Sequence, residues 1–168
     1  MNELNYQMDL LKAMNQKLSA KEKMYTMICE ASKCAYVYFS YEKNQIVTMG
    51  RWQEFFDFDI QDIKDINRVF DEVEEEYVLP LRDVIFLEKS GKGISAMECR
   101  HKDGRGWYSF RTTVDYDSLG NPQDKLIVVE NTTKMKSQHD ELVYMAHFDA
   151  MTGLYNRNYF VTMLHDYM

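Results

Sequence analysis

The sequence predicts an α+β domain with a five-stranded antiparallel sheet, short helices on one face of that sheet, and a longer helix at each end. Three observations predict this class. Five segments rich in aromatic and β-branched residues, which suit strands, are separated by turn signals. Short segments with helical spacing lie between the second and the third of them. Residues 2–33 contain neither Gly nor Pro, as a long helix requires.

The composition is that of a folded protein with no membrane segment and no nucleic-acid partner. Hydrophobic residues make up 45% of the 168 residues and charged residues 28%, which suits one packed domain with helical extensions. The formal net charge of −7 argues against a nucleic-acid groove, because such a groove needs clustered Lys and Arg. No apolar run approaches the roughly 20 residues of a bilayer span, and no signal peptide is visible. The three cysteines lack framework spacing, so the sequence predicts a cytoplasmic setting.

Residues 2–33 are predicted to form one amphipathic helix, within an N-terminal region of residues 1–34. Apolar side chains recur along it at heptad spacing, interrupted by Asn15. The members of this row are Leu4, Met8, Leu11, Leu18 and Tyr25. An Asn in such a row can set the register of a helix dimer. Two interpretations stay open: a coiled coil with a second copy, or a helix that lies on its own domain.

The first two strands and the helices after them follow from local patterns. Residues 35–41 and 46–49 suit two strands around a polar turn. From Trp52 to Ile66, apolar residues recur at near-helical spacing, which predicts short helices. A further helix is predicted to begin at Pro80, because a first-turn proline loses no hydrogen bond. Gly91 suits the C-terminal cap of that helix.

The second half of the chain predicts three more antiparallel strands, over residues 94–102, 107–116 and 124–130. Asp103-Gly104 is a strong hairpin signal, because this pair readily takes positive φ. The apolar run 126–129 indicates a central strand that is covered on both faces. A helix over about residues 133–147 follows, and side-chain oxygens of residues 131–133 are expected to cap its start.

This order of elements resembles the PAS fold, a five-stranded antiparallel sheet with helices packed on one face. Two local motifs add to the resemblance. Glu98–Gly104 followed by Trp107 is similar to the hairpin before the family's penultimate strand, and Glu130–Thr133 is similar to its closing Asp-Ile-Thr. Asn131 stands where the family usually has Asp. The resemblance covers residues 35–133 and implies a sensor domain.

The segment Phe148–Arg157 closely resembles the opening of GGDEF domains, which are diguanylate cyclases with the pattern Asp-x-Leu-Thr-Gly-Leu-x-Asn-Arg. The positions that fit are Asp149, Thr152, Gly153, Leu154, Asn156 and Arg157. Met151 takes the place of the usual Leu, a volume-conserving change. The resemblance implies a linker helix over 134–148 and the start of a truncated GGDEF domain over 149–168.

The fitting residues of this motif are expected to have structural roles. Asp149 and Thr152 can cap the start of a helix, and Gly153 permits an unusual backbone angle. The catalytic signature of the family, Gly-Gly-Asp/Glu-Glu-Phe, does not occur among the 168 residues. The chain as given is therefore expected not to be an enzyme, and its parent is expected to be a diguanylate cyclase.

The candidate ligand site is the space between the sheet and its helices, where PAS domains that bind small molecules hold them. The predicted lining residues are Trp52, Phe56, Phe70, Ile85, Met97, Phe110, Thr112 and Val128. Alternation along the strands selects these positions only as one of two possible faces. A filled core without a ligand is the alternative for each of them.

No cofactor and no metal is predicted. The resemblance implies that haem would need an axial ligand from the helices under the sheet, and no His falls within residues 52–90. Flavin-binding light sensors of the family present a reactive Cys on one of those short helices, whereas Cys29, Cys34 and Cys99 lie elsewhere. These cysteines and His101 fit no usual zinc spacing.

The function that these observations predict is signal input. We expect a sensor and dimerisation module that regulates a downstream diguanylate cyclase, and therefore cyclic di-GMP signalling. The expected partners are a second copy of the chain, bound through the flanking helices, and a small molecule in the PAS cavity. The alternative is a ligand-free PAS scaffold for protein interactions.

Overall fold

A computed structural model of the chain describes residues 2–86 and 95–168. Two compact units are present, Met1–Asn131 and Thr132–Met168. The elements of the first unit are α1 (Asn2–Ala31), β1 (Cys34–Ser40), β2 (Gln45–Gly50), α2 (Trp52–Phe55), a 3₁₀ helix (Ile63–Asp71), α3 (Glu75–Phe86), β3 (Ser95–Arg100), β4 (Trp107–Tyr116) and β5 (Pro122–Asn131). Those of the second are α4 (Thr133–His147) and α5 (Arg157–Tyr167). The predicted cap at Gly91 and the predicted strand start at Ile94 lie outside the described residues.

The five strands form one antiparallel sheet in the order β2-β1-β5-β4-β3. The last strand in sequence, β5, therefore lies in the middle, between β1 and β4. Val37 is opposite Ile127, and Val129 is opposite both Ala35 and Phe110. The predicted α+β class, with five antiparallel strands and flanking helices, is confirmed.

One face of the sheet carries the core. Burial alternates along β5, where Ile127 and Val129 are buried and Leu126 and Val128 are half-buried. The prediction that 126–129 is covered on both faces is therefore wrong. Although the run is uniformly apolar, the period of a strand sends successive side chains to opposite faces. Only the inner row meets the helical layer.

Short helices cover the inner face of the sheet. Asp62 begins the 3₁₀ helix with a capping box, in which it accepts from the Lys64 N–H while Asp65 accepts from the Asp62 N–H. The helix then buries Ile66, Val69 and Phe70 against the sheet, and α3 buries Leu81, Val84 and Ile85. Each such side chain contributes about 1.5–3 kcal/mol through its removal from water.

Pro80 lies inside α3 and does not begin it, so the predicted helix start is wrong. The helix begins at Glu75, and the carboxylates of Glu75 and Glu76 favour this end because they complement the positive end of the helix dipole. Pro80 lacks the N–H that would otherwise bond to the Glu76 carbonyl. The side chain of Pro80 is exposed, so the ring meets solvent on its outer side.

Helix α1 buries none of its residues. It contacts β1 and β2 near its C-terminal end, where Ser32 after the helix accepts a hydrogen bond from the Tyr36 hydroxyl at 3.0 Å. Leu4, Leu11 and Leu18 are 57–69% exposed. The structure therefore contradicts the interpretation in which this helix lies on its own domain. Among the helices of the described residues, none is both long and apolar enough for a bilayer span.

Candidate functional site

Most of the predicted lining residues meet between the sheet and the helical layer. Trp52, Phe56, Phe70, Ile85 and Phe110 belong to one buried cluster, Met97 packs against it, and Thr112 is buried on the same face. The ring centroids of Trp52 and Phe56 are 4.4 Å apart, and those of Phe56 and Phe110 are 6.4 Å apart. The Trp52 Nε1–H donates to the Phe58 carbonyl at 2.8 Å, which fixes the indole in this layer.

Val128 is the one predicted lining residue on the other side of the sheet. It pairs with Tyr36 and Arg111, whose side chains also point to the outer face. The prediction of an inward Val128 is wrong because the buried positions of β5 are 125, 127 and 129. The correct inner candidate next to Thr112 is Ile127, its register partner.

Two polar side chains lie on the inner face with the apolar cluster. The Thr112 hydroxyl is buried and has no hydrogen-bond partner among the described atoms. Lys125 is also buried, and its Nζ donates to the Ile85 carbonyl at 2.9 Å. The Lys125 Nζ lies 5.8 Å from the centroid of the Tyr41 ring. A buried hydroxyl and a buried ammonium give this layer the means to bind a polar atom.

Lys125 was missed by the sequence analysis, although a signal was present. It lies two residues before Ile127 and four before Val129, so the period-2 row that predicts their burial also includes Lys125. Lysine side chains usually lie in solvent because they are charged, so this signal is easily overlooked. A lysine can nevertheless bury its stem and direct its ammonium to a helix carbonyl.

Two of the three cysteines, Cys34 in β1 and Cys99 in β3, lie in surroundings that disfavour the thiolate. Burial, and to a lesser extent the charge of Glu98, raises the pKa of the Cys99 thiol to about 12, which keeps it protonated and unreactive at neutral pH. Burial, and then the charge of Glu130, also raises the pKa of Cys34. Within residues 2–86 and 95–168, no three His, Cys, Asp or Glu side chains are grouped to hold a metal ion.

The motif that resembles a GGDEF opening forms a tight turn between α4 and α5. One Asp149 carboxylate oxygen accepts from the N–H groups of Met151 and Thr152 and from the Thr152 hydroxyl, at 2.9–3.1 Å. The two bonds from Thr152, followed by that from Met151, hold the pKa of Asp149 below its usual value. Gly153 takes the predicted positive φ, at 69°. Asp149 and Thr152 therefore close a turn, and the prediction that they cap a helix is wrong.

Asn156 connects the two helices of the second unit. Its Oδ1 accepts from the Tyr159 N–H at 2.9 Å as the N-cap of α5, which begins at Arg157. Its Nδ2 donates to the Ala146 carbonyl at 2.8 Å, in the last turn of α4. Its N–H donates to the His147 carbonyl, also at 2.8 Å. One side chain thus satisfies free groups at the end of one helix and at the start of the next.

Two aromatic rings stack beside this turn. The rings of Phe148 and Tyr155 stack with centroids 5.0 Å apart, while Leu154 is exposed.

Thr132 occupies the N-cap position of α4 but makes no side-chain capping bond. The expectation that an oxygen of residues 131–133 caps this helix is thus not met at Thr132, whose hydroxyl is buried and has no hydrogen-bond partner among the described atoms.

No family model and no curated protein matches this sequence. Solved structures do resemble it. An RNA-binding light-oxygen-voltage receptor matches with a TM-score of 0.50 and 7% identity, over 68% of this chain and 35% of the receptor. A sensory box histidine kinase/response regulator from Burkholderia thailandensis matches with a TM-score of 0.48 and 11% identity, over 71% and 92%.

A third similar structure is the N-terminal domain of a diguanylate cyclase with a PAS/PAC sensor from Marinobacter aquaeolei. Its TM-score is 0.44 and its identity 9%, over 62% of this chain and 99% of that domain. At such identities a likeness concerns the fold alone. The fold of the first unit is the PAS-like α+β fold that the sequence predicts.

Proposed function

We propose that this chain is a signal-input module that acts as a homodimer and controls a diguanylate cyclase through α4. The observation that carries the proposal is the uncovered apolar row of α1, joined directly to a PAS-like domain. PAS-like structures occur in sensor proteins, such as the light-oxygen-voltage receptor that this fold resembles. In this role the PAS-like domain receives the signal, and the exposed helices pair two copies of the chain.

A second copy of the chain is the partner that best fits α1. A helix of 30 residues is about 45 Å long, and its apolar row is repeated in identical form on another copy. Four Lys and four acidic residues within 2–31 give α1 a formal charge of zero, so net charge does not oppose pairing. Asn15 lies in the row, where pairing with the same residue of a parallel copy favours one register.

The output side of the proposal depends on the turn after α4. The Asn156 contacts tie the end of α4 to the start of α5, so a rotation of α4 moves α5 with it. Diguanylate cyclases join two GTP molecules held on two domains, so the resemblance of residues 148–157 implies that pairing geometry controls output. This chain alone should then convert no GTP to cyclic dinucleotide in the presence of Mg²⁺.

The input side depends on the layer between sheet and helices. The Thr112 hydroxyl has no hydrogen-bond partner within residues 2–86 and 95–168, and the Lys125 ammonium is buried beside the same apolar layer. Together they favour a small molecule with a polar acceptor group among apolar walls. The packing of Trp52 on Phe56, and of Phe56 on Phe110, favours the second candidate, a ligand-free scaffold with a filled core.

Light scattering on the full chain tests the pairing. The wild type should be a dimer, and Leu11→Asp should raise the dissociation constant about a hundredfold, because each copy loses a buried leucine and gains an uncompensated charge. Gln16→Asp is the matched control, since it adds the same carboxylate away from the row. A wild-type chain that stays monomeric at high concentration overturns the proposal of pairing.

A metabolite thermal-shift screen tests the input site. A ligand bound there raises the melting temperature of the wild type by mass action. This shift should fall with Thr112→Val and persist with Thr113→Val, because Thr113 is exposed on the outer face. If no ligand shifts the wild type, or both variants respond alike, the scaffold is the better proposal.

A further inference from the structure

The segment 72–74 pairs with residues 100–102, where β3 ends and the turn of the β3–β4 hairpin begins, as a short additional edge. Val73 and His101 form an antiparallel bridge. On either side of it, the Lys102 N–H donates to the Glu72 carbonyl at 2.9 Å, and the Glu74 N–H donates to the Arg100 carbonyl at 3.0 Å. Glu72 is the C-cap of the 3₁₀ helix, and α3 begins at Glu75. This pairing therefore ties the helical layer to one corner of the sheet.

His101 lies at the centre of this junction, and its ring faces a carboxylate on each side. Its side chain is 4% exposed. The ring Nε2 is 3.1 Å from Glu72 Oε2, and Nδ1 contacts Asp103 Oδ1. A neutral imidazole has one N–H donor and one acceptor nitrogen, whereas an imidazolium has two donors. Only the protonated ring can donate to both carboxylates at once.

The neutral ring also finds partners, but with a different arrangement. The Asp103 backbone N–H points at Nδ1 at 3.4 Å, so an unprotonated Nδ1 can accept from it. The Asp103 carboxylate then faces a lone pair in place of a proton, while Arg105 holds it from the other side at 2.5 Å. Loss of the proton thus weakens the contact of the ring with Glu72 or makes its contact with Asp103 repulsive, where the charged ring has a charge-assisted bond to each.

Charged side chains surround the ring of His101, and Asp103 is the one nearest to Nδ1. Burial opposes ionisation of Asp103, but the Arg105 N–H and the charges of His101 and Arg105 prevail, so the pKa of Asp103 lies below its usual value. The other charged or titratable groups at the junction belong to the helical segment, the hairpin, β4 and the neighbouring loop. They are Asp57, Asp71, Glu72, Glu74, Arg100, Lys102 and Tyr108.

We propose that His101 is a proton-operated clasp that fastens the helical layer to the β3–β4 hairpin when its ring is charged. Deprotonation leaves one ring N–H for two carboxylates and weakens the pairing of 72–74 with 100–102. Histidine is the side chain whose ordinary charge change falls between about pH 5 and 8, so this is the range over which the clasp is tested. The device goes beyond the proposed function, since it needs neither a ligand nor a second copy.

Amide hydrogen exchange on the full chain tests the clasp. The Lys102 and Glu74 amides should lose protection by roughly fivefold to tenfold between pH 5.5 and 8, after correction for intrinsic rates. The extra energy of a charge-assisted hydrogen bond over a neutral one corresponds to about this factor in the opening equilibrium. The Ile127 amide in the central ladder is the internal reference and should not change. Equal losses at all three amides would mean general unfolding and would overturn the proposal.

A variant and a direct measurement complete the test. His101→Gln should abolish the local pH response, and His139→Gln on the exposed surface of α4 should retain it. Nitrogen chemical shifts of the wild-type ring keep the proposal testable if His101→Gln does not fold. They should show two protonated ring nitrogens at pH 5.5 and one at pH 8. A ring that keeps one protonation state throughout this range, or a response that survives in His101→Gln, contradicts the clasp.

Discussion

Gly50 occupies a backbone conformation and a space that admit no side chain. Its φ is +68°, and a Cβ at this position would overlap the Cys34 carbonyl oxygen and lie 3.1 Å from the Tyr36 ring. The Cys34 carbonyl accepts the Arg51 N–H at 3.0 Å, so it is already fixed by the chain that follows β2. Glycine is therefore required here for conformation and for close approach alike.

Gly50→Ala should lower the free energy of unfolding by about 2–4 kcal/mol, through the left-handed backbone and the steric overlap together. Gly120→Ala is the matched control, because Gly120 has a φ of +85° and nothing within 4 Å of its Cβ position. That variant should lose only about 1 kcal/mol. Urea denaturation of both proteins measures the difference, and equal losses would show that the close approach costs nothing.

At the scale of single residues, sequence reasoning succeeds where a local rule applies. Gly153 was predicted from its motif, and most inner positions followed from alternation. His101 was missed as a buried junction because its partner Glu72 is 29 positions earlier in the chain, a pairing that no local pattern encodes. Val128 was placed on the wrong face because an uninterrupted apolar run does not reveal its phase.

Pro80 is the clearest conflict between an element and its sequence. Six residues into α3, proline removes one hydrogen bond and crowds the carbonyl of Glu76. The helix forms nevertheless, because Leu81, Val84 and Ile85 pack into the core. Tertiary burial here outweighs local propensity, which is why the helix start could not be read from proline alone.

Pro80→Ala should therefore raise the free energy of unfolding by about 1–2 kcal/mol, the gain of one helical bond less the added entropy of the unfolded chain. Leu79→Ala is the control, because Leu79 is its exposed neighbour and has an N–H already. That change should stay within about 0.5 kcal/mol of the wild type. A lower melting temperature for Pro80→Ala would contradict this account of α3.

Asn156 allows the two helix connections of the second unit to be separated. Asn156→Asp keeps the acceptor for Tyr159 but turns a carboxylate oxygen towards the α4 carbonyls. We expect the Tyr159 amide to stay protected from exchange, whereas the Asp149 amide, which donates to the Leu154 carbonyl, should lose about 1–3 kcal/mol of protection.

Asn158→Asp, two residues further on, is the control with the same change in charge. It should leave both amides as they are in the wild type. Equal loss at Tyr159 and Asp149 in Asn156→Asp would mean that the turn and the helix start form one cooperative element, so the side chain could not act on them separately.

For the molecule as a whole, α1 adds surface without adding core. None of its residues is buried, so deletion of residues 2–27 should leave the melting temperature of the sheet domain within about 2 °C at concentrations where the wild type is monomeric. At high concentration the wild type should melt higher than the deletion variant, because pairing binds only the folded state. Scanning calorimetry over a concentration series measures both effects. A large loss at low concentration would contradict this view.

The order of the strands shows what the sequence can and cannot specify at this scale. Five strands and their flanking helices were predicted from turn signals and alternation. The central position of β5, the last strand in sequence, agrees with its apolar run 126–129. The pairing partner of α1 and any occupant of the inner layer are properties of a complex, so no pattern within one chain specifies them. Light scattering and ligand screening address them.

The two tryptophans occupy contrasting positions in the first unit. Trp52 is anchored in the inner layer by its bond to the Phe58 carbonyl, whereas Trp107 begins β4 and lies 6.0 Å from the Tyr77 ring, between ring centroids. Trp107 follows Gly106, whose carbonyl accepts the His101 N–H. The chain thus carries one intrinsic fluorophore at each of these two locations. In Trp52→Phe the remaining Trp107 reports on the corner at His101, and in Trp107→Phe the remaining Trp52 reports on the interior.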